Sequence, residues 1–294
     1  MRYRDAAALR QALEQRLNAR AAGDGARLAR DRKRVAFDRL LARLNAAASD
    51  RWLLKGGFAL DLRLGEKARS TRDVDIEWQA AEDGLLDALI EATSVDVGDY
   101  FTIQVERTAV PPDHLGGSHR FRIMAALAGR PFETFMLDVA LRSSPIDEYD
   151  TLTTSDLLAF AEIEPAHIRA IPLERHIAEK LHAYTRRYRD DRPSSRAKDL
   201  IDIVLMSELA PFEFGRLREV IVRLFDARAT HKLPASVPAP ASEWARPYRA
   251  LAEEVGLDPD PIVGHHLTAA FLDPVLAGEL DLSRWDAHML RWRG

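Results

Sequence analysis

Apolar residues recur every three to four positions through most of this chain, and every second position in a few short runs. Leu9, Leu13 and Leu17 stand four apart and predict a helix over 5–21. Gly23-Asp24-Gly25 interrupts it, and Val35, Phe37, Leu40, Leu41 and Leu44 mark a second helix over 26–48. The run 51–55 reads as a strand, 57–64 as a helix, 73–78 as a second strand and 82–93 as a connecting helix. Runs 100–107, 120–127 and 132–141 alternate in part and read as strands. Pro111-Pro112 and Gly116-Gly117 mark the connection between the first two, and Gly129-Arg130-Pro131 a tight turn between the second and third. Together these make a mixed sheet with helices on it. The polar segment Ser143–Thr154 closes this part, and from Asp156 onward only helical patterns are legible: 155–161, 172–189, 196–209, 213–228, 242–256, 262–273 and a tail reaching Trp292. KLPASVPAP at 232–240 is an extended, Pro-rich connector. The expected organisation is an α/β unit over 1–145, with two helices at its start, and a mainly α-helical lobe over 146–294.

Composition narrows the class. Of 294 residues, 47% are hydrophobic, enough for a sizeable core and against global disorder. Charged residues make up 30%, so much of the helical surface is solvated, and the net charge of −4 gives no global electrostatic case for nucleic acid. With no cysteine, disulfides and thiolate metal sites are excluded. The charged start MRYRDAAALRQALEQRL lacks an apolar signal core and no run approaches a membrane span, so a cytoplasmic protein is expected.

The candidate chemistry lies in LLKGGFALDLRLGEKARSTRDVDIEW, residues 53–78. Residues i and i+2 of a strand share a face, so Asp73 and Asp75 project side by side. Two such carboxylates on an otherwise apolar strand repel each other and resist burial, and a divalent cation, Mg²⁺ or Mn²⁺, removes that conflict. Upstream, Lys55 precedes Gly56-Gly57, where the absent side chains let backbone N–H groups approach an anion at a helix start. Phosphate-sized and metal-sized sites are thus predicted at the two ends of one strand–helix–strand unit.

A Gly-Gly turn opening a helix, followed by Asp-x-Asp on a strand, resembles the nucleotidyltransferase fold of the DNA polymerase β type. The fuller string KGGFALDLRLGEKARSTRDVDIEW is similar to the AbiEii/AbiGii nucleotidyltransferase toxins of bacterial toxin–antitoxin systems, the mycobacterial ones included. The resemblance implies an α/β fold with a nucleotidyltransferase-type mixed sheet, flanking helices and a helical C-terminal lobe. It implies an enzyme that uses an NTP with Mg²⁺ or Mn²⁺ to transfer NMP, with the 3′ end of tRNA as acceptor and a cognate antitoxin as partner. Thr71, two residues before the first Asp, belongs to the toxins' motif; its hydroxyl could hold a triphosphate oxygen or simply a loop turn. Two-metal chemistry usually wants a third carboxylate. Asp138, in the strand-like PFETFMLDVAL with Phe135, Leu137 and Val139 facing the core, is the candidate and Glu133 its rival; a pairing of Asp138 with an arginine such as Arg142 is the structural alternative.

The resemblance recurs in PLERHIAEKLHAYTRRYRDDRPSSRAKDLIDIVLM, residues 172–206. Carried over position by position, it implies that Lys180 contacts the triphosphate and Asp202 supports the site, with Lys198 and Asp199 as neighbours; an Asp-to-Lys/Arg network tying two helices is the structural alternative. Ser194-Ser195 offers an N-cap to the second helix. Arg186, Arg187, Arg189, Arg192 and Arg196 around Tyr188 suit RNA backbone contact and base stacking, diluted by Asp190-Asp191. The basic run RLARDRKR near residue 30 is either a solvated helix face or a further phosphate-contacting patch. The histidines, scattered on helices without cysteine partners, are assigned no role. Two other functions fit the same residues: a nucleotidyltransferase acting on a small molecule or protein side chain, and a catalytically idle RNA- or partner-binding module of the same fold.

Overall fold

The computed structural model describes residues 2–79, 84–109, 117–186, 196–279 and 283–294. The chain divides into two compact units: Met1–Leu62 with Ser70–Ile171, and Arg63–Arg69 with Pro172–Gly294.

The first unit opens with α1 (Ala6–Ala21) and α2 (Gly25–Ala48). Each starts on an aspartate cap, Asp5 accepting from the Ala8 N–H and Asp24 from those of Ala26 and Arg27, which satisfies orphan donors of the first turn. Its sheet has seven strands: β1 (Trp52–Lys55), β2 (Asp73–Gln79), β3 (Phe101–Arg107), β4 (Ser118–Leu127), β5 (Arg130–Arg142), β6 (Asp150–Thr153) and β7 (His167–Ala170). Their order is β3-β4-β5-β2-β1-β7-β6. The central β2 runs antiparallel to β1 and parallel to β5, so the Asp-x-Asp strand is flanked on both sides. Between β1 and β2 runs α3 (Gly56–Leu64), and α4 (Leu85–Thr93) precedes β3.

One sheet face makes the core. Val74, Ile76 and Trp78 of β2 join Phe135, Leu137 and Val139 of β5 and Phe121, Ile123 and Ala125 of β4, all buried. Phe37 of α2 packs edge-on against Phe58 and Phe135, at ring-centre distances of 4.9 and 4.7 Å. Because strand side chains alternate, Asp73, Asp75 and Glu77 must then all point to the opposite face.

Several expectations are corrected. The lobe boundary does not fall at 145: residues 146–171 belong to the first unit, where β6 and β7 extend its sheet. These strands have four residues each, too few for alternation to register in sequence. The helix expected over 155–161 is a single 3-10 turn, Ala159–Ala161. The β4–β5 turn is Ala128-Gly129, both at positive φ, with Leu127 paired to Arg130. That is a two-residue hairpin of the kind whose twist matches the strands, and Pro131 already lies in β5, beside a register shift at Ala125/Ala126.

The basic run of α2 is spent inside the unit. Arg30 and Arg34 both pair with Asp61, Lys33 pairs with Glu133, and Arg32 donates to the Phe132 carbonyl while lying over its ring. Deeper in α2, Arg43 forks onto the fully buried Asp99 at 2.7 and 2.8 Å. This helix is a structural ion-pair ladder, and the phosphate-contacting reading of its basic turns loses its support.

The second unit comprises α5 (Leu173–Thr185), α6 (Ala197–Ser207), α7 (Phe214–Arg228), α8 (Ala245–Val255), α9 (Pro261–Ala277) and a hairpin of β8 (Arg284–Asp286) and β9 (Arg291–Arg293). The hairpin replaces the expected helical tail. Trp285 is buried and donates to the Ser207 carbonyl, and Trp292 donates to that of Phe271, both at 2.8 Å. These tryptophans anchor the hairpin by packing on Phe271. Among the described residues no helix is long and apolar enough to cross a membrane.

In the second unit His182 and His231 pack against Phe225. His182 is buried on α5, and its Nε2 lies 2.8 Å from the Thr230 hydroxyl. Burial first, then Arg228, His231 and Arg186, push its pKa down from 6.5 to about 4. The unfolded chain therefore binds more protons than the folded one between those values, and stability present above pH 6.5 is lost as pH falls toward 4. The loss should reach up to about 3 kcal/mol. Urea melts across this range should show the slope, and His182→Gln should remove part of it.

Candidate active site

In the first unit, sheet register lines up four charged side chains. Lys55 of β1 stands opposite Asp75 of β2, Asp75 opposite Asp138 of β5, and Asp138 opposite Arg120 of β4. Asp73 lies one pleat away, opposite Met136. The three expected carboxylates thus share one sheet face. Glu77 continues the row and pairs with Arg142 at 3.4 Å, so the arginine that sequence offered to Asp138 goes elsewhere. Glu133 is taken by Lys33.

Asp138 is held by Arg120 in a two-pronged pair: Nε donates to Oδ1 at 2.7 Å and Nη2 to Oδ2 at 2.6 Å. The hydrogen bond from Arg120 to Asp138 raises the arginine's pKa; partial burial opposes it, and the charges of Asp138, Asp73 and Asp75 add to the rise. The guanidinium therefore sits in the field of all three carboxylates. Sequence reasoning missed Arg120. Its only signal was a charged residue in a strand, and its partner is fixed by hairpin register.

Gly56 is the first residue of α3 and stands at φ +67. A Cβ there would overlap the Asp75 carboxylate, lying 2.6 Å from its Cγ. Only glycine lets the helix start this close to the acid. Gly56→Ala should therefore displace Asp75 and strain the backbone, costing about 2–3 kcal/mol in urea unfolding and lowering transfer activity at least about a hundredfold. Thr71 donates to the Asp73 carbonyl and to its Oδ1, both at 3.3 Å, closing the loop that delivers β2.

The second unit gathers the other set. Lys180 lies 2.7 Å from Asp202 and 3.3 Å from Asp199, and Arg69 forks onto Asp202 with two contacts of 2.8 Å. Lys180, Asp199 and Asp202 are all buried. Burial works against the Lys180 charge, but Asp202 and Asp199 outweigh it and its pKa is raised. For Asp202 burial is likewise outweighed, by Lys180 and Arg69, and its pKa falls well below the ordinary carboxylate range. Burial, Lys180 and Arg63 together push buried His176 far down, leaving a neutral ring beside this network.

Arg196 reaches Asp199 at 2.9 Å. Lys198, in the first turn of α6, is exposed and makes no hydrogen bond or ion pair among the described residues. Arg186 ends α5. Arg187, Arg189 and Arg192, with Tyr188 and the Ser194-Ser195 cap, lie outside the described residues. Arg69 precedes Asp73 by four residues, and its partner Asp202 lies 133 residues away.

Residues 39–285 match the family described as nucleotidyl transferase AbiEii toxin, type IV TA system. The chain belongs to the AbiEii nucleotidyltransferase toxin family. The match spans both units, so the family's pattern covers each of the two residue sets just described. No curated protein matches the sequence. Among solved structures the chain is similar to MenT4, a nucleotidyltransferase toxin of Mycobacterium tuberculosis H37Rv, at 20% identity over 95% of this chain and 99% of that one, with a TM-score of 0.55. That likeness bears out the nucleotidyltransferase fold. It is also similar to JHP933 of Helicobacter pylori, at 16% identity over 84% of this chain and 94% of that one, with a TM-score of 0.47.

Hard oxygen donors on one strand face suit Mg²⁺ or Mn²⁺, and Asp73 and Asp75 fit that description. Among the described residues no three His, Cys, Asp or Glu side chains are grouped as a metal site.

Proposed function

We propose that this AbiEii-family protein is a metal-dependent toxin that moves NMP from an NTP to an RNA hydroxyl, the 3′ end of tRNA being the acceptor, and that a cognate antitoxin restrains it. The observation that carries the reading is the placement of Asp73 and Asp75 side by side on β2, with Gly56 at the start of α3 pressed against Asp75.

Asp73 and Asp75 are the residues that would hold Mg²⁺ or Mn²⁺. When bound, such an ion offsets phosphate charge and acidifies an attacking hydroxyl. The chain's own residues do the rest. The opening turn of α3 at Gly56-Gly57 offers helix N-terminal N–H groups to phosphate oxygens. Lys55 and the Thr71 hydroxyl stand beside the acids and can position the same triphosphate. In the second unit, the family resemblance implies that Lys180, kept as an ammonium by Asp202 and Asp199, contacts a triphosphate, with Lys198 as its neighbour. In the transfer, the acceptor oxygen bonds to the α-phosphorus, the bond to the β-phosphate oxygen breaks, pyrophosphate leaves, and the hydroxyl proton is lost to solvent or a nearby carboxylate. RNA as acceptor rests on the resemblance and on Arg186 and Arg196, which flank the arginine-rich stretch between α5 and α6.

The test is transfer of label from each α-³²P NTP, with Mg²⁺, to total tRNA. Label on tRNA with wild type, and none with Asp73→Asn, is the expected result and names the nucleotide as well. Label on a small molecule or protein in place of tRNA would overturn the acceptor. No Mg²⁺-dependent transfer to any acceptor would overturn the enzyme.

A further inference from the structure

Asp138 has the position of a third metal ligand, but its surroundings describe another task. Both carboxylate oxygens already accept a short, charge-assisted hydrogen bond from Arg120. The pair is forked and spans neighbouring strands in register, so the planar guanidinium has one fixed orientation. Its exposure is lopsided: the Arg120 side chain is 30% exposed and that of Asp138 only 12%. Of the five N–H donors of an arginine, those on Nε and one on Nη2 serve Asp138. Nη1 makes no hydrogen bond among the described residues.

Charge points the same way. Three carboxylates against the Arg120 guanidinium and the Lys55 ammonium leave one negative charge on this face, which a single divalent ion at Asp73 and Asp75 already offsets. A second ion on Asp138 would have to sit against a guanidinium held within 2.7 Å of both its oxygens. An incoming triphosphate, by contrast, brings the negative charge that a fixed guanidinium attracts.

We propose that Arg120 is a catalytic residue that offers Nη1 to a phosphoryl oxygen of the nucleotide, and that Asp138 is its positioning residue rather than a metal ligand. This rests on the nucleotidyl-transfer reading above and says which cation of the first unit meets the phosphates.

The experiment separates metal binding from nucleotide binding. Mn²⁺ affinity is measured by electron paramagnetic resonance, and affinity for the four α,β-methylene NTPs with Mg²⁺ by calorimetry, on wild type, Arg120→Ala, Arg120→Lys, Asp138→Asn and Asp73→Asn. Arg120→Lys keeps the charge but not the fork, and thermal melts confirm that each variant folds. Arg120→Ala, Arg120→Lys and Asp138→Asn should each weaken nucleotide binding about ten- to a hundredfold. Their Mn²⁺ affinity should stay within about twofold of wild type, or tighten in Arg120→Ala, where a repelling cation is gone. Asp73→Asn alone should lose Mn²⁺. If Asp138→Asn loses Mn²⁺ as Asp73→Asn does, Asp138 is a ligand and the proposal falls. Unchanged nucleotide affinity in folded Arg120→Ala would make the pair a cross-strand tie and overturn it equally. A wild type that binds neither Mn²⁺ nor any analogue would overturn the nucleotidyltransferase reading itself, and this proposal with it.

Discussion

Replacing Asp73 by asparagine should lower NMP transfer by about a thousandfold or more, roughly 4 kcal/mol of transition-state stabilisation, and leave the melting temperature unchanged or slightly higher. The two halves of this expectation have one cause. Asp73 and Asp75 stand one pleat apart on β2, and Asp138 stands opposite Asp75. Without a bound cation they repel one another, relieved in part by Arg120. Asparagine keeps the shape and the hydrogen bond from Thr71, removes one repelling charge, and withdraws half of the proposed cation-binding pair. Transfer of α-³²P label and a thermal melt on the same preparation read both effects. A variant that transfers at the wild-type rate would sink the assignment of Asp73, and one that loses activity only by unfolding would make it a structural acid.

Asp202→Ala should do the reverse and strike stability first, costing about 3–5 kcal/mol in urea unfolding. Asp202 is buried between two cations, with Lys180 at 2.7 Å and both Arg69 contacts at 2.8 Å. Truncation leaves Lys180 with Asp199 alone, at 3.3 Å, and Arg69 without its fork. Breaking a buried pair by removing one partner costs far more than the pair contributes, because a desolvated charge stays behind. The double variant Asp202→Ala with Lys180→Met should therefore recover about 1–2 kcal/mol of the loss. If the single variant unfolds within about 0.5 kcal/mol of wild type, the network carries little of the second unit's stability, and Asp202 is free for a purely chemical role.

The two replacements mark what sequence could show. The alternation DVDIEW placed Asp73 and Asp75 on the face opposite Val74, Ile76 and Trp78, and the structure has them there. Phe135, Leu137 and Val139 likewise located the core side of β5 and so the side of Asp138. Such patterns are local: a period of two needs only the neighbours along one strand. Partnerships across strands and helices left no such mark. Arg120 meets Asp138 through the register of a hairpin whose turn lies at Ala128-Gly129, one residue from where Gly129-Arg130-Pro131 suggested it. A one-residue change of register reverses every facing side chain. Asp61 gathers Arg30 and Arg34, so a run that reads as a basic surface is an internal clasp. The strands β6 and β7 gave too short a period to separate from loop, and the boundary expected at 145 fell with them.

The seven residues 63–69 belong to the second unit, although the chain makes them before most of the first. Arg69 meets Asp202 133 residues later. At the usual pace of about 5–20 residues per second, roughly seven to twenty-seven seconds of synthesis separate the two. During that interval strands β2 to β7 are made, while 63–69 precede the rest of their unit. The order of birth therefore differs from the order along the chain. The sheet can close around Asp73 and Asp75 early, whereas the lysine network is completed among the last. A chain halted before Asp202 would carry the acids of β2 with the Arg69–Asp202 fork not yet formed.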